Sequence, residues 1–286
     1  MSENIAENIA IGLVNTLKIA EESPHGLYLT DSIGERVLLP MRYVTEQMRE
    51  GDLIDVFIYT DSEDRVVATT QRPLAMRGEF ALMKVTDIAP FGAFVDWGLP
   101  KELLVPNKMQ KNRLEIGKSY IVHVTYDFDT GRLYGDTRIG RHLLSDIKGL
   151  KSGDAADLLI VARTPLGYKV IANHNYEGML YHNEIFQPLE TGQHVKGYIK
   201  KIRPDGKLDL SLQPIGRAKT DVSVQKVRDR LAQNGGTLPF TYKSDAGAIQ
   251  QQFGISKKAF KKALTTLLEN GEIVLHDTAI EVKKQA

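Results

Sequence analysis

Pro90-Phe91-Gly92-Ala93-Phe94-Val95-Asp96 is the stretch on which the fold turns. A Pro-x-Gly turn leads into a run of alternating character. In an extended chain Ala93, Val95 and Trp97 share one face, while Phe94 and Asp96 share the other. The pattern returns as Pro24-His25-Gly26-Leu27-Tyr28-Leu29 and as Pro165-Leu166-Gly167-Tyr168-Lys169-Val170. A second glycine stands 25 residues after the first in every copy: Gly26 to Gly51, Gly92 to Gly117, Gly167 to Gly192. Behind it comes another alternating run, over 52–59, 118–124 or 193–199. A polar turn follows at Asp61–Asp64, Asp129–Gly131 or Pro204–Gly206, and a last strand ends near Arg72, Arg138 or Gln213. Three landmarks in one order, three times over, mark an internal repeat.

Each repeat runs for about 65 residues with five short strand signals and glycine-marked turns, the signature of half-buried antiparallel strands. Five such strands close into a small Greek-key barrel, which removes exposed sheet edges. A barrel of this size is the OB-fold, whose outer face offers aromatic and basic side chains to single-stranded nucleic acid. Segments 41–49 and 107–114 read as the short helix or loop that caps a barrel. Face assignment makes Phe94 a solvent-facing ring and Trp97, the only tryptophan, a core residue.

The tail breaks the pattern. Val224, Val227 and Leu231 recur at helical spacing within 222–231, and 239–242 reads as a short extended piece. A second helix covers 246–253, stopped by Gly254. Ser256 caps a third helix with a buried stripe of Ala259, Phe260, Ala263, Leu264, Leu267 and Leu268, ended by Asn270-Gly271. Residues 272–276 and 279–282 alternate across a tight turn. Helix, strand, helix, helix, hairpin is the order of a winged helix. Its third helix opens with Lys257, Lys258, Lys261 and Lys262, spaced to fall on the exposed side. The expected fold is therefore mainly β: three tandem five-stranded OB barrels over 1–73, 77–141 and 152–214, then an α+β winged-helix domain over 217–286.

Residues 80–138, with Phe91-Gly92-Ala93-Phe94-Val95-Asp96 and Gly117, resemble the S1 RNA-binding domain of ribosomal proteins and exoribonucleases; the first and third repeats fit more loosely. The resemblance implies base stacking on Phe91 and Phe94 and a strand contact by Arg138, with Lys108 among the lysines nearby. At matching places the first repeat offers His25, Tyr28 and Arg72. The third has Leu166 and Lys169 instead of aromatics, with Tyr181 and His182 near the family's usual histidine. Three S1-type barrels followed by a winged helix, together with Gly254-Ile255-Ser256-Lys257-Lys258-Ala259-Phe260-Lys261-Lys262-Ala263, resemble the bacterial conserved virulence factor B family. That resemblance implies a cytoplasmic, non-catalytic RNA-binding regulator of gene expression. Its partner is single-stranded RNA; the winged helix admits DNA or protein as a further one.

Composition is consistent with this and excludes several other classes. The chain has 286 residues, 42% hydrophobic and 26% charged, as in ordinary globular domains. Zero cysteines exclude disulfides, thiolate metal sites and cysteine catalysis. The net charge of +1 hides a gradient: −7 over 1–75, +2 over 76–143, +1 over 144–215 and +5 over 216–286. The acidic first barrel favours a protein-docking role there, because it repels phosphate; a scaffold, or an accessory factor of the ribosome or of RNA decay, is the alternative reading. The longest tight apolar run, 158–162, is too short to span a bilayer. The seven histidines form no metal-ligand spacing. Gly117-Lys118-Ser119 resembles the end of a phosphate loop, but Asn112 stands where that loop needs glycine. Asp127, Asp129 and Asp136 read as turn-flanking acids. No nucleophile–base pair emerges, and neither cofactor, metal nor small-molecule substrate is expected.

Overall fold

The computed structural model describes residues 8–283 apart from 183, 184, 186, 187 and 215, with the side chains of 216–219 and 221 also left out of the description. The first barrel is built from β1 (Val14–Ser23), β2 (Gly26–Thr30), β3 (Arg36–Pro40), β4 (Leu53–Thr60) and β5 (Val66–Thr69), closed in the order β1-β2-β3-β5-β4. The third repeats it with β11 (Ala155–Thr164), β12 (Gly167–Ala172), β13 (Tyr176–Tyr181), β14 (His194–Ile202) and β15 (Leu208–Ser211). Between them β6 (Phe80–Ala89), β7 (Gly92–Asp96), β8 (Leu103–Pro106), β9 (Ser119–Asp127) and β10 (Arg132–Asp136) form a sheet ordered β10-β9-β6-β7-β8. Here the expectation of full closure needs one correction. The outer barrels shut with a parallel ladder, Leu38 against Val67 and Gly178–Leu180 against Leu208–Leu210. In the second, β8 and β10 meet by packing: a Cβ on Gly135 would come within 2.8 Å of Val105 Cγ2. The loop after β8 bridges the seam, with Thr137 N–H donating to Met109 O at 3.0 Å.

Both glycine landmarks have a physical cause. The glycine of each Pro-x-Gly turn lies against the carbonyl of the next strand, so a Cβ there would fall 2.0 Å from Leu39 O, 2.6 Å from Val105 O or 1.9 Å from Leu180 O. The second glycine takes a positive φ (95°, 81° and 86° at Gly51, Gly117 and Gly192), which L side chains resist. Its N–H donates to a carbonyl of the barrel's first strand: Gly51 to Ile19, Gly117 to Val85, Gly192 to Ile160, at 2.8, 2.9 and 2.8 Å. One backbone bond, made three times, is what the 25-residue spacing records.

The first two barrels belong to one compact unit. In β4 the run Val56-Phe57-Ile58-Tyr59 is buried on both faces. Val56 and Ile58 enter the first barrel's own core. Phe57 and Tyr59 point out of it into a cluster with Trp97, Leu99 and the interior of the second barrel. Trp97 is therefore buried at a junction; its ring meets Phe57 edge-on at 5.8 Å and its indole N–H donates to Lys101 O. Polar contacts reinforce the joint. Lys101 Nζ inserts among Asp61 O (2.6 Å), Asp64 Oδ1 (3.1 Å) and Thr60 Oγ1 (3.3 Å) of the first barrel. Arg132 pairs with Asp64 Oδ2 at 2.5 Å.

The tail forms α1 (Gly216–Gln233), β16 (Thr237–Leu238), α2 (Ala246–Phe253), α3 (Lys257–Glu269), β17 (Ile273–Leu275) and β18 (Ile280–Val282). The strand thus precedes the segment expected at 239–242, where it pairs with β18, and α1 starts before 222. The stripe on α3 is buried at Phe260, Ala263, Leu264 and Leu267. Asp245 accepts from the N–H groups of Gly247 and Ala248, and Ser256 from that of Ala259, capping α2 and α3. Among the described residues no helix is long and apolar enough to cross a membrane.

Candidate nucleic-acid interface

Alternation along β7 buries Ala93 and Val95 and leaves Phe94 half-buried on the outer face. Leu104 of β8 stands directly opposite it. Phe91, in the turn before β7, is 59% exposed. That turn is held at the end of β8: Asn107 N–H donates to Phe91 O at 3.1 Å and its side-chain amide to Pro90 O at 2.7 Å. The Phe91 and Phe94 rings meet edge to face, 6.0 Å apart at 88°. They line a groove of about 590 Å³ together with Leu104, Pro106, Lys108, Met109 and Tyr134 of the second barrel and Tyr59, Thr60 and Asp64 of the first. This groove is the largest concave feature carrying exposed aromatic rings, which makes it the default binding site.

Its electrostatics are mixed. Lys108 is exposed at the rim, facing Asp127. Asp127 accepts from the Thr130 hydroxyl (2.8 Å) and from Asp129 N–H (3.0 Å); these bonds, aided by the Lys108 charge, hold its carboxyl below the usual range. Lys101, the largest influence, and Arg132 do the same for Asp64. Both cations are thereby committed to joining the barrels. Glu102 and Asp129 add carboxylates along the lining. Walls of this kind suit flat, partly apolar groups bearing hydrogen-bond donors, with phosphate meeting Lys108 at the edge.

Of the residues expected in the second barrel, Phe91, Phe94 and Lys108 are brought together. Arg138 is not. It grips the buried Asp136 through Nε (3.0 Å) and Nη2 (2.7 Å) and lies against Met109 Sδ. Burial pushes the Asp136 carboxyl up, but the Arg138 bonds and the His142 contact outweigh it and hold the group at about 2. Arg138 therefore serves the fold, because an arginine two residues past a buried aspartate is its nearest counter-charge. Tyr134, Leu104, Met109 and the first-barrel wall went unread in the sequence. Leu104 had a signal: Leu103-Leu104-Val105 is apolar where an alternating strand would place a polar residue.

The other barrels offer less at the matching places. His25 and Arg72 are exposed, but one face of the half-buried Tyr28 ring is covered by the Arg36 guanidinium at 4.8 Å. In the third barrel Lys169 pairs with Glu177 at 3.2 Å, and the Tyr181 hydroxyl is held between Arg203 and Asp209. His182 is exposed beside Tyr168. Internal partners have taken up these side chains. On α3, Lys258, Lys261 and Lys262 are exposed, whereas Lys257 is half-buried and donates to Lys243 O at 3.4 Å. No group of three or more histidines and carboxylates able to hold a metal occurs among the described residues.

Three small barrels and a winged helix in one chain define a protein assembled from nucleic-acid-binding domain types. An S1 domain model matches residues 11–71 and a CvfB-like winged helix domain model matches 225–282. The S1 match thus falls on the first barrel, which the motif residues had marked as divergent, rather than on the second. Uncharacterized protein YitL of Bacillus subtilis is 28% identical over 273 residues, covering 90% of this chain and 89% of its own. Conserved virulence factor B of Staphylococcus epidermidis is 25% identical, covering 93% and 94%. A solved Streptococcus pneumoniae structure, described as a multidomain protein with nucleic acid binding domains, aligns at 24% identity and TM-score 0.41 over 96% of this chain and 98% of that one. The matches place the chain with the conserved virulence factor B proteins.

Proposed function

We propose that this chain is a non-catalytic RNA-binding protein that regulates gene expression after transcription, and that the second barrel's groove takes the strand. One observation carries the reading: Phe91 and Phe94, an exposed and a half-buried ring, stand at the mouth of a groove rimmed by Lys108. Aromatic rings accept any base by stacking, and each stacked base contributes about 1–3 kcal/mol. Because the two rings are perpendicular, one base lies flat on one ring while the other ring meets its edge. The groove therefore selects unpaired strands, whose bases can be splayed out. Lys258, Lys261 and Lys262 of α3 form a second cationic surface, suited to nucleic acid. The test is a titration of labelled single-stranded RNA against wild type and the Phe91→Ala/Phe94→Ala double variant. Both rings are solvent-facing, so the variant should fold. Its affinity should drop about 5- to 150-fold, the equivalent of one stacked base; wild-type affinity would overturn the stacking reading. The carboxylates Asp127, Asp129 and Glu102 along the groove favour one competing reading, a protein-docking scaffold. A stoichiometric partner retained after ribonuclease treatment, with no RNA affinity, would establish it.

A further inference from the structure

The strand that opens after the second glycine serves differently in the three barrels. Counting from Gly51, Gly117 and Gly192, equivalent outward-facing positions are Asp55 and Phe57, Ile121 and His123, Lys196 and Tyr198. In the first barrel Phe57 is fully buried against Trp97 of the second. In the second Ile121 and His123 are covered too, His123 with its ring stacked on His142 at 3.9 Å. In the third the same face stands open: Lys196, Lys200 and Lys201 are exposed and Tyr198 is half-buried. Gly197 and Ile199 supply the inward face; a Cβ on Gly197 would come within 2.3 Å of Leu158 Cδ1.

Charge in this barrel is segregated. Glu177 is shared by Lys169 and Lys207 at 3.2 Å each, and Asp209 pairs with Arg203 at 2.6 Å. These pairs neutralise the side of the barrel where the second barrel carries its groove. No ion pair engages Lys196 or Lys201 among the described residues. The ladder with β11, set by Ile160 N–H to Gln193 O and Ile199 N–H to Asp154 O, puts Ala155 opposite Tyr198 and Asp157 opposite Lys196. Ala155 leaves the tyrosine ring uncovered from that side. Asp157 is the one carboxylate facing the row, and its oxygen lies 3.9 Å from His174 Nε2.

We propose that the outer face of β14, through Lys196, Tyr198 and Lys201, is a second binding surface for the backbone of single-stranded RNA, on a different side of its barrel from the groove of the second. The occupant follows from charge complementarity: cations on either side of an aromatic ring, about two residues or 6.6 Å apart along a strand, match a polyanion whose phosphates alternate with stackable bases. The proposal rests on the RNA-binding reading above and is separable from it. Anisotropy of a short unstructured RNA is measured on the full chain from about 50 to 200 mM salt, where affinity falls with a log–log slope of about −0.7 per phosphate contact for single strands. Lys196→Ala/Lys201→Ala should make that slope shallower by about 1.4, two contacts. Tyr198→Leu should weaken binding without moving it. Phe91→Ala/Phe94→Ala should likewise weaken binding at every salt concentration with the slope kept. An unchanged slope in Lys196→Ala/Lys201→Ala, with wild-type circular dichroism, overturns the β14 surface whatever the groove variant does. An altered slope with an unaffected groove variant supports β14 and overturns the groove. Loss of a protein partner by the lysine variant with RNA binding intact assigns the face to protein and overturns the proposal.

Discussion

Phe57 belongs by sequence to the first barrel and by packing to the joint with the second, so Phe57→Ala should destabilise both. Its side chain is fully buried, edge-on to Trp97 at 5.8 Å and stacked with Tyr59 at 6.3 Å. Truncating a buried phenylalanine costs about 3–5 kcal/mol, the transfer term plus the cavity left in place. With a urea slope of about 2 kcal/mol per molar, the unfolding midpoint should fall by about 2 M. Trp97 is the only tryptophan, and its indole sits in the second barrel, so its fluorescence reports that barrel. The assay is a urea titration of wild type and variant, followed by Trp97 emission. Changing its neighbour will alter the starting intensity; the midpoint is the decisive quantity. Phe57→Leu, which keeps most of the volume, should recover more than half of the shift. A Trp97 transition that stays at the wild-type midpoint in Phe57→Ala, with an earlier separate loss of β signal, would refute the shared core and make the barrels independent.

Acid should test the Asp136–Arg138 pair. A carboxyl held at about 2 in the folded chain and near 3.9 unfolded contributes stability that is fully present above pH ~4 and lost as pH falls through ~2, about 2 kcal/mol in all. Asp136→Asn should therefore flatten the decline in urea midpoint between about pH 4 and 2 that wild type shows; parallel curves would exclude the pair as its cause. The turn glycines should rank by what a Cβ would meet. Gly167→Ala, 1.9 Å from Leu180 O, should lower the melting temperature more than Gly117→Ala, where nothing lies within 4 Å and only the φ of 81° resists. Equal effects in a thermal melt would sink the close-approach argument.

The barrel motif could be read in the sequence because its causes are local and repeated. A strand's faces alternate with period two, so the chain itself separates Ala93 and Val95 from Phe94. A glycine whose N–H must reach back to the first strand recurs at the same distance in every copy. Helix caps at Asp245 and Ser256 act within three residues, and the tail was readable for the same reason. Side-chain commitments were less accessible. Arg138, Lys169 and Tyr181 stand where the S1 resemblance puts ligand contacts, yet each is held by a carboxylate or a cation brought to it by neighbouring strands.

What the amino-acid order determined by itself is the set of three barrels, the winged helix after them and the face on which each strand residue lies, since these follow from period, turn chemistry and capping over a few residues. Only the tertiary structure decided which of those faces meets water. Val56-Phe57-Ile58-Tyr59 shows the difference: alternation assigns Phe57 and Tyr59 outward, and packing against Trp97 and Leu99 buries them. The same packing sets Tyr59 and Asp64 as one wall of the groove at Phe91 and Phe94. Burial depends on which surfaces distant segments bring together, and no spacing along the chain encodes it.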